Sequence, residues 1–234
     1  MLRRACLIAA LIGALPACAP PPPVPAATSP APADFPESRY RQAEAQGRKV
    51  LRVDPALSLV VIEVRRAGVL AGLGHDHVVA SHDVRGYVDP EEGRSDLYVP
   101  LRRLVVDEPG LRAEAKLDTQ PSPDAIEGTR RNMLEKTLDA ERFPFALIRA
   151  SRGNADLSAL SVTITLHGAT RTFEIPVQTE TLPGGIAVSG RMTFNQTDFG
   201  IIPYSVLGGA LQVQDRLDLR FRILVTSGWG NEPN

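Results

Sequence analysis

The sequence predicts an all-β domain, an antiparallel barrel of about eight strands with one or two short helices. Three observations predict it. From Val50 onward apolar residues recur with a period of two, the spacing of half-buried strands rather than helices. The runs are divided by turn signals such as His167-Gly168-Ala169-Thr170 and Leu182-Pro183-Gly184-Gly185, which suit tight reversals between antiparallel neighbours. Antiparallel strands with polar outer faces must bury their inner faces together and dispose of their edges, and closure into a barrel does both.

Composition fits one core with appendages: 234 residues, 43% hydrophobic and 23% charged. A net charge of -1 supplies no general attraction to phosphate backbones, so nucleic acid is not an expected partner. The two cysteines are Cys6 and Cys18, which leaves the body of the chain without a disulfide or a thiolate metal site. Any metal there needs His and carboxylate ligands.

Residues 1–17 read as a lipoprotein signal peptide. Arg3 and Arg4 precede the short apolar run Ala5 to Leu15, and Leu15-Pro16-Ala17-Cys18 ends it with small residues. The run is shorter than the roughly 20 apolar residues that span a bilayer. Leu-Pro-Ala-Cys resembles the bacterial lipoprotein signal, which implies that Cys18 becomes the acylated first residue. The alternative is a plain secretory peptide with Cys18 an idle thiol. Ala19 after the cysteine implies outer-membrane sorting, so the domain is expected in a bacterial cell envelope, facing the periplasm on an N-terminal lipid anchor. Residues 18–49 form a Pro/Ala-rich tether, semi-rigid through Pro20 to Pro23. It ends in a short helix over Ser38 to Gln46, with Pro36 at its start and Gly47 after its end, a lid or a strut.

Residues 50–226 are the barrel and 227–234 a C-terminal tail. Val60, Ile62 and Val64 alternate with polar or outward neighbours, as do Leu97, Val99 and Leu101. One helix interrupts the strands. Ser122-Pro123-Asp124 supplies a cap, a first-turn proline and a first-turn carboxylate; Met133, Leu134 and Leu138 share a face, and Phe143-Pro144 stops the run. This helix is expected to plug one end of the sheet. Leu160, Val162, Ile164 and Leu166, then Phe173, Ile175 and Val177, make a hairpin about His167-Gly168. Ile186, Val188, Met192 and Phe194 face one way after the next turn, and the last strand runs from Val213 to Val225.

By this parity the inner lining holds almost no ionisable groups, which suits one slender apolar ligand and neither a sugar nor a nucleotide. Gly190 falls among the inward positions and leaves room there. The candidate lining residues are Val60, Ile62, Phe143, Phe145, Ile164, Phe173, Met192, Phe194, Phe199 and Phe221. A filled core would use the same side chains.

The segments Leu134 to Pro144, Leu160 to Arg171, Ile175-Pro176-Val177 and Met192-Thr-Phe-Asn-Gln-Thr-Asp198-Phe199-Gly200-Ile201, in that order, resemble the YceI family of lipid-binding proteins over about residues 50 to 226. The resemblance implies a lipocalin-like extended antiparallel β-barrel that holds a long isoprenoid, such as a polyprenyl chain or the tail of an isoprenoid quinone, and it implies no catalytic residues. Related barrels are often dimeric, so a homodimer is part of the expectation. Three features depart from the pattern. Asn195-Gln196-Thr197 stands where Asp-Arg is more usual, the segment 202–209 is an apolar, glycine-rich insert, and the family's opening after its first strand has no histidine cluster.

That cluster is Leu70-Ala-Gly-Leu-Gly-His75-Asp76-His77-Val-Val-Ala-Ser-His82, which holds three of the four histidines behind two glycines that permit a bent backbone. His75 and His77 project from one face of a strand and can meet one divalent ion, zinc or iron. His82 is an odd number of residues away and faces the other side unless a bulge intervenes between Val78 and Ser81. Asp76 can orient an imidazole or join as a ligand. Against this stands a plainer reading, in which these are polar residues at a strand start and Asp76 accepts local backbone bonds. His167 belongs to a solvated turn. Ser81, His82 and Asp83 do not make a hydrolytic triad, whose members meet through the fold rather than the sequence. The sequence therefore points first to a non-catalytic carrier or sensor of an isoprenoid lipid. The alternatives are a His-coordinated metal site at the barrel mouth with enzymatic activity, and a filled-barrel envelope interaction module.

Overall fold

The computed structural model describes residues 30–152 and 158–227. The expected signal peptide with Cys18 and the proline run lie outside the described residues, as does the expected tail beyond residue 227. Every element named here lies in the unit Ala31–Asn234.

The strands are β1 (Leu51–Val53), β2 (Leu59–Val64), β3 (Arg66–Ala67), β4 (His77–Ser81), β5 (Arg85–Asp89), β6 (Arg94–Pro100), β7 (Val105–Val106), β8 (Phe145–Arg152), β9 (Ala159–Leu166), β10 (Ala169–Leu182), β11 (Gly185–Asn195), β12 (Ser205–Val206), β13 (Leu211–Val213) and β14 (Arg216–Thr226). Eight of them close into an antiparallel ring, β1-β5-β6-β8-β9-β10-β11-β14, with β14 returning to β1. Three more, β2, β4 and β7, continue the sheet from β14, and β3, β12 and β13 make a small separate sheet. The expected all-β barrel is the observed fold.

The barrel forks because β1 and β2 share one edge of β14. Leu59 to Glu63 pair with Arg222 to Asp218, while Val53 and Arg52 pair with Val225 and Thr226. Between them Asp54-Pro55 turns the chain: the Asp54 carboxylate accepts from the Ala56 amide at 3.0 Å, and the proline has no amide to offer the ladder. Ser58 Oγ takes over by accepting from the Leu224 amide at 3.0 Å. Beyond the fork β1 leads to β5 and closes the ring, whereas β2 leads to β4 and β7 and leaves the other end open.

Two tight turns follow the sequence. Leu166 pairs with Ala169 across His167-Gly168, whose φ angles of 52° and 77° are those of a type I′ reversal. Leu182 pairs with Gly185 across Pro183-Gly184. The last strand is shorter than its alternation suggests. It breaks at Gln214-Asp215, where the Asp215 carboxylate binds Thr197 through its amide at 2.9 Å and its hydroxyl at 2.6 Å, so Val213 belongs to the small sheet. Gly190 leaves no room: it pairs with Phe221, whose ring lies 2.8 Å from where a Cβ would stand.

Helix α1 (Glu37–Ala45) lies on the outside of β5 and β6. Tyr40 and Ala43 are buried there, and the Tyr40 hydroxyl donates to Asp96 Oδ2 at 2.8 Å. Burial, reinforced by that bond to Asp96, raises the Tyr40 phenol well above its ordinary value. Helix α2 (Pro109–Glu114), which the sequence pattern did not announce, buries Leu111 and Arg112. Helix α3 (Pro123–Asn132) begins as expected, with Ser122 accepting from the Ala125 amide at 3.2 Å. It passes into a π-turn (Met133–Thr137) rather than running on, and Met133, Leu134 and Leu138 pack into the barrel core at the open end.

Candidate functional site

Alternation on the strands that form the ring turns apolar side chains inward, and they do not fill the barrel. Two adjoining chambers remain, an inner one of about 390 Å³ and a mouth chamber of about 340 Å³. Ile62, Val79, Leu104, Leu138, Leu166 and Phe194 line both. The inner chamber is almost wholly apolar along its length; apart from Ser81 at the end of β4, its polar groups, among them Asp89, Arg94 and Arg152, gather where β5 turns to β6 and β8 ends. The mouth chamber lies between the open end of the fork, the α3 π-turn and the small sheet. Leu73 lines it, and Leu73, Val69, Ile202 and Leu207 are largely exposed, at 73, 90, 84 and 69%.

The candidate lining residues divide. Val60, Ile62, Ile164, Met192, Phe194, Phe199 and Phe221 stand on the wall of the inner chamber. Phe173 points inward but rests against Phe199, ring centres 6.2 Å apart, off the wall. Phe145 is on the outward set of β8, since Ala146, Ile148 and Ala150 face the chamber, and it meets Tyr98 edge-on at 5.9 Å. Phe143 precedes the strand and packs over Gly168 and His167 at the hairpin turn, 4.9 Å from the imidazole.

The histidines do not form one ligand set. His82 follows the end of β4, is half exposed, and its Nε2 lies 2.8 Å from Glu108, away from the chamber that His77 lines, as an odd spacing without a bulge requires. Asp76 accepts from the Arg66 amide at 2.9 Å and carries a long contact with Arg65, so it serves the local backbone. Among the described residues no three His, Cys, Asp or Glu side chains are grouped to hold a metal ion. The three-histidine site is therefore corrected: His75 and His77 line the mouth chamber and His82 stands apart.

His77 is tied to a partner the sequence did not single out. Its Nδ1 lies 2.6 Å from Asp107 Oδ2, and Asp107 is fully enclosed. The other carboxylate oxygen accepts from the Val78 amide at 3.1 Å and from Arg112 at 2.5 Å. Arg112 also donates to the Asp76 carbonyl at 2.8 Å and to the Thr119 carbonyl, which fixes the loop that presents His75. Burial pushes the Asp107 carboxyl up, but the hydrogen bonds it accepts from His77, the Val78 amide and Arg112 outweigh burial and hold the group below the usual carboxylate range. The rings of His75 and His77 sit 6.2 Å apart at 73°, and His75 Nδ1 is buried without a partner.

This forked barrel has counterparts among solved structures. A polyisoprenoid-binding domain from Saccharophagus degradans superposes with a TM-score of 0.56 at 11% identity, covering 77% of this chain and 99% of that one. Burkholderia cenocepacia BcnA gives 0.51 at 14% identity, covering 74% and 99%. At such identities the likeness is one of fold. None of the curated proteins compared with the sequence matches it. The model of the YceI-like domain matches residues 52–225, which span the ring, the fork and both chambers, and the chain belongs to the YceI-like domain family.

Proposed function

We propose that the protein is a non-catalytic carrier or sensor that holds a long isoprenoid or similar apolar lipid, an isoprenoid quinone among them, inside the barrel. The observation that carries this reading is the apolar inner chamber adjoining an open mouth. Each chamber falls in the range of roughly 300–1,000 Å³ typical of small-molecule sites. Family membership and the polyisoprenoid-binding neighbour of similar fold support it. The exposed apolar side chains about the mouth suit the transfer of a lipid that does not travel free in water.

Titration of the delipidated protein with a radiolabelled isoprenoid tests the reading. Saturable one-to-one binding is expected, and Ile148→Trp, which thrusts an indole into the inner chamber, is expected to weaken it about tenfold or more while the circular dichroism is kept. Binding that ignores Ile148→Trp would place the ligand elsewhere. The envelope tether is a second part of the proposal, supported by Leu15-Pro16-Ala17-Cys18. Cys18→Ser is expected to move the protein from the outer-membrane fraction to the soluble one; a variant that stays membrane-bound contradicts acylation at Cys18.

A further inference from the structure

An apolar chain needs no imidazoles, yet the mouth chamber presents two. In each the surroundings decide which ring nitrogen carries the hydrogen. The buried Asp107 carboxylate is unprotonated and only accepts, so His77 Nδ1, 2.6 Å away, must carry the hydrogen. Arg112 already balances the carboxylate charge. In the neutral ring this leaves His77 Nε2 as a lone-pair acceptor, and it makes no hydrogen bond among the described residues. His75 has the opposite arrangement. Its Nδ1 is enclosed without a partner, and an enclosed N–H donor is less tolerable there than an enclosed lone pair. The hydrogen therefore belongs on Nε2, and His75 is a donor.

The chamber thus offers one donor and one acceptor on rings 6.2 Å apart. A hydroxyl oxygen at about 2.8 Å from each nitrogen answers both, accepting from His75 and donating to His77. Other heads answer less well. A carbonyl accepts from His75 and leaves His77 without a donor. A phosphate or carboxylate wants an uncommitted cation, and the lining cations are engaged: Arg65 with Glu63, and Arg66 with the Gly74 carbonyl at 2.8 Å and Asp118 at 3.1 Å. We infer that the mouth chamber is a head-group site for a neutral hydroxyl at the end of the apolar chain, aliphatic as in an isoprenoid alcohol or phenolic as in a prenylated phenol, bridged between His75 and His77. This rests on the apolar-chamber reading above and adds the class of head that the site selects.

The test measures affinities of the delipidated full chain for four probes of equal chain length: an isoprenoid hydrocarbon, the alcohol, a prenylated phenol and the alcohol's phosphate ester. A hydroxyl probe is expected to bind about tenfold more tightly than the hydrocarbon, the advantage that two neutral hydrogen bonds confer. Whichever of alcohol and phenol binds more tightly identifies the kind of hydroxyl. His75→Leu, which breaks no hydrogen bond of the fold, is expected to bring the alcohol down to the affinity of the hydrocarbon, as is His77→Leu. Should His77→Leu fail to fold with Asp107 left unpaired, His75→Leu decides. Equal binding of hydrocarbon and hydroxyl probes, a preference that survives His75→Leu, or tightest binding of the phosphate ester would each overturn the head-group assignment alone. Binding of none of the four would overturn it together with the apolar-chamber reading.

Discussion

Among single residues, Asp107 is a charge with no side-chain exposure that is tolerated because Arg112, His77 and the Val78 amide surround it. Asp107→Asn leaves the Arg112 guanidinium enclosed without a counter-charge and is expected to cost about 3–5 kcal/mol in urea unfolding. The folded carboxyls of Asp107 and Asp96 are both held below their ordinary value of 3.8. For Asp96, burial acts upward and is outweighed by Arg94, Tyr40 and Arg149. Groups lowered on folding contribute stability that is complete above the ordinary value and disappears as pH falls below it. Unfolding midpoints are thus expected to drop on acidification, and less steeply in Asp107→Asn. Parity alone separated His82 from His75 and His77. It could not find Asp107, which sits 30 residues from His77. Nothing in the local sequence about Asp107 marks it as a partner of His77, and only the pairing of β7 with β4 brings it under that ring.

At the scale of the element, the strands are held in register by backbone that certain glycines alone permit. Gly86 in β5 has φ 142°, and a Cβ there would stand 2.2 Å from the Asp96 carbonyl oxygen on β6. Gly86→Ala is expected to cost about 3 kcal/mol through strain and crowding together, read as a lowered urea midpoint. The same change at Gly184, which has nothing within 4 Å, serves as the control that meets φ strain without a clash. Elements with a local cause were legible: the Ser122 cap, the His167-Gly168 turn and helix α1, expected over Ser38 to Gln46 and found over Glu37–Ala45. Elements decided by distant partners were not. The end of β14 depends on Thr197 reaching Asp215, and the parting of β1 from β2 depends on Ser58 replacing a strand bond to Leu224. Inward parity likewise does not say whether a position meets space or another side chain, which is why Phe173 rests on Phe199 and Gly190 lies under Phe221.

At the scale of the whole molecule, the fork joins a ring whose far end is drawn together by β1 and β5 to a mouth spread apart by β2, β4 and β7. The ring keeps a barrel too wide for its own apolar side chains to fill, and the spread end carries the His75 and His77 apparatus and the exposed apolar rim. An unfilled apolar interior weakens a fold, because the lining atoms lack partners on one side. A bound chain restores those contacts and stabilises the folded state by mass action. On the function proposed above, an apolar lipid occupies these chambers in the cell. Organic extraction of protein purified from its native host, followed by mass spectrometry of the extract, tests it most directly. About one isoprenoid-class lipid per chain is the result predicted; repeated preparations that release no apolar lipid would contradict it.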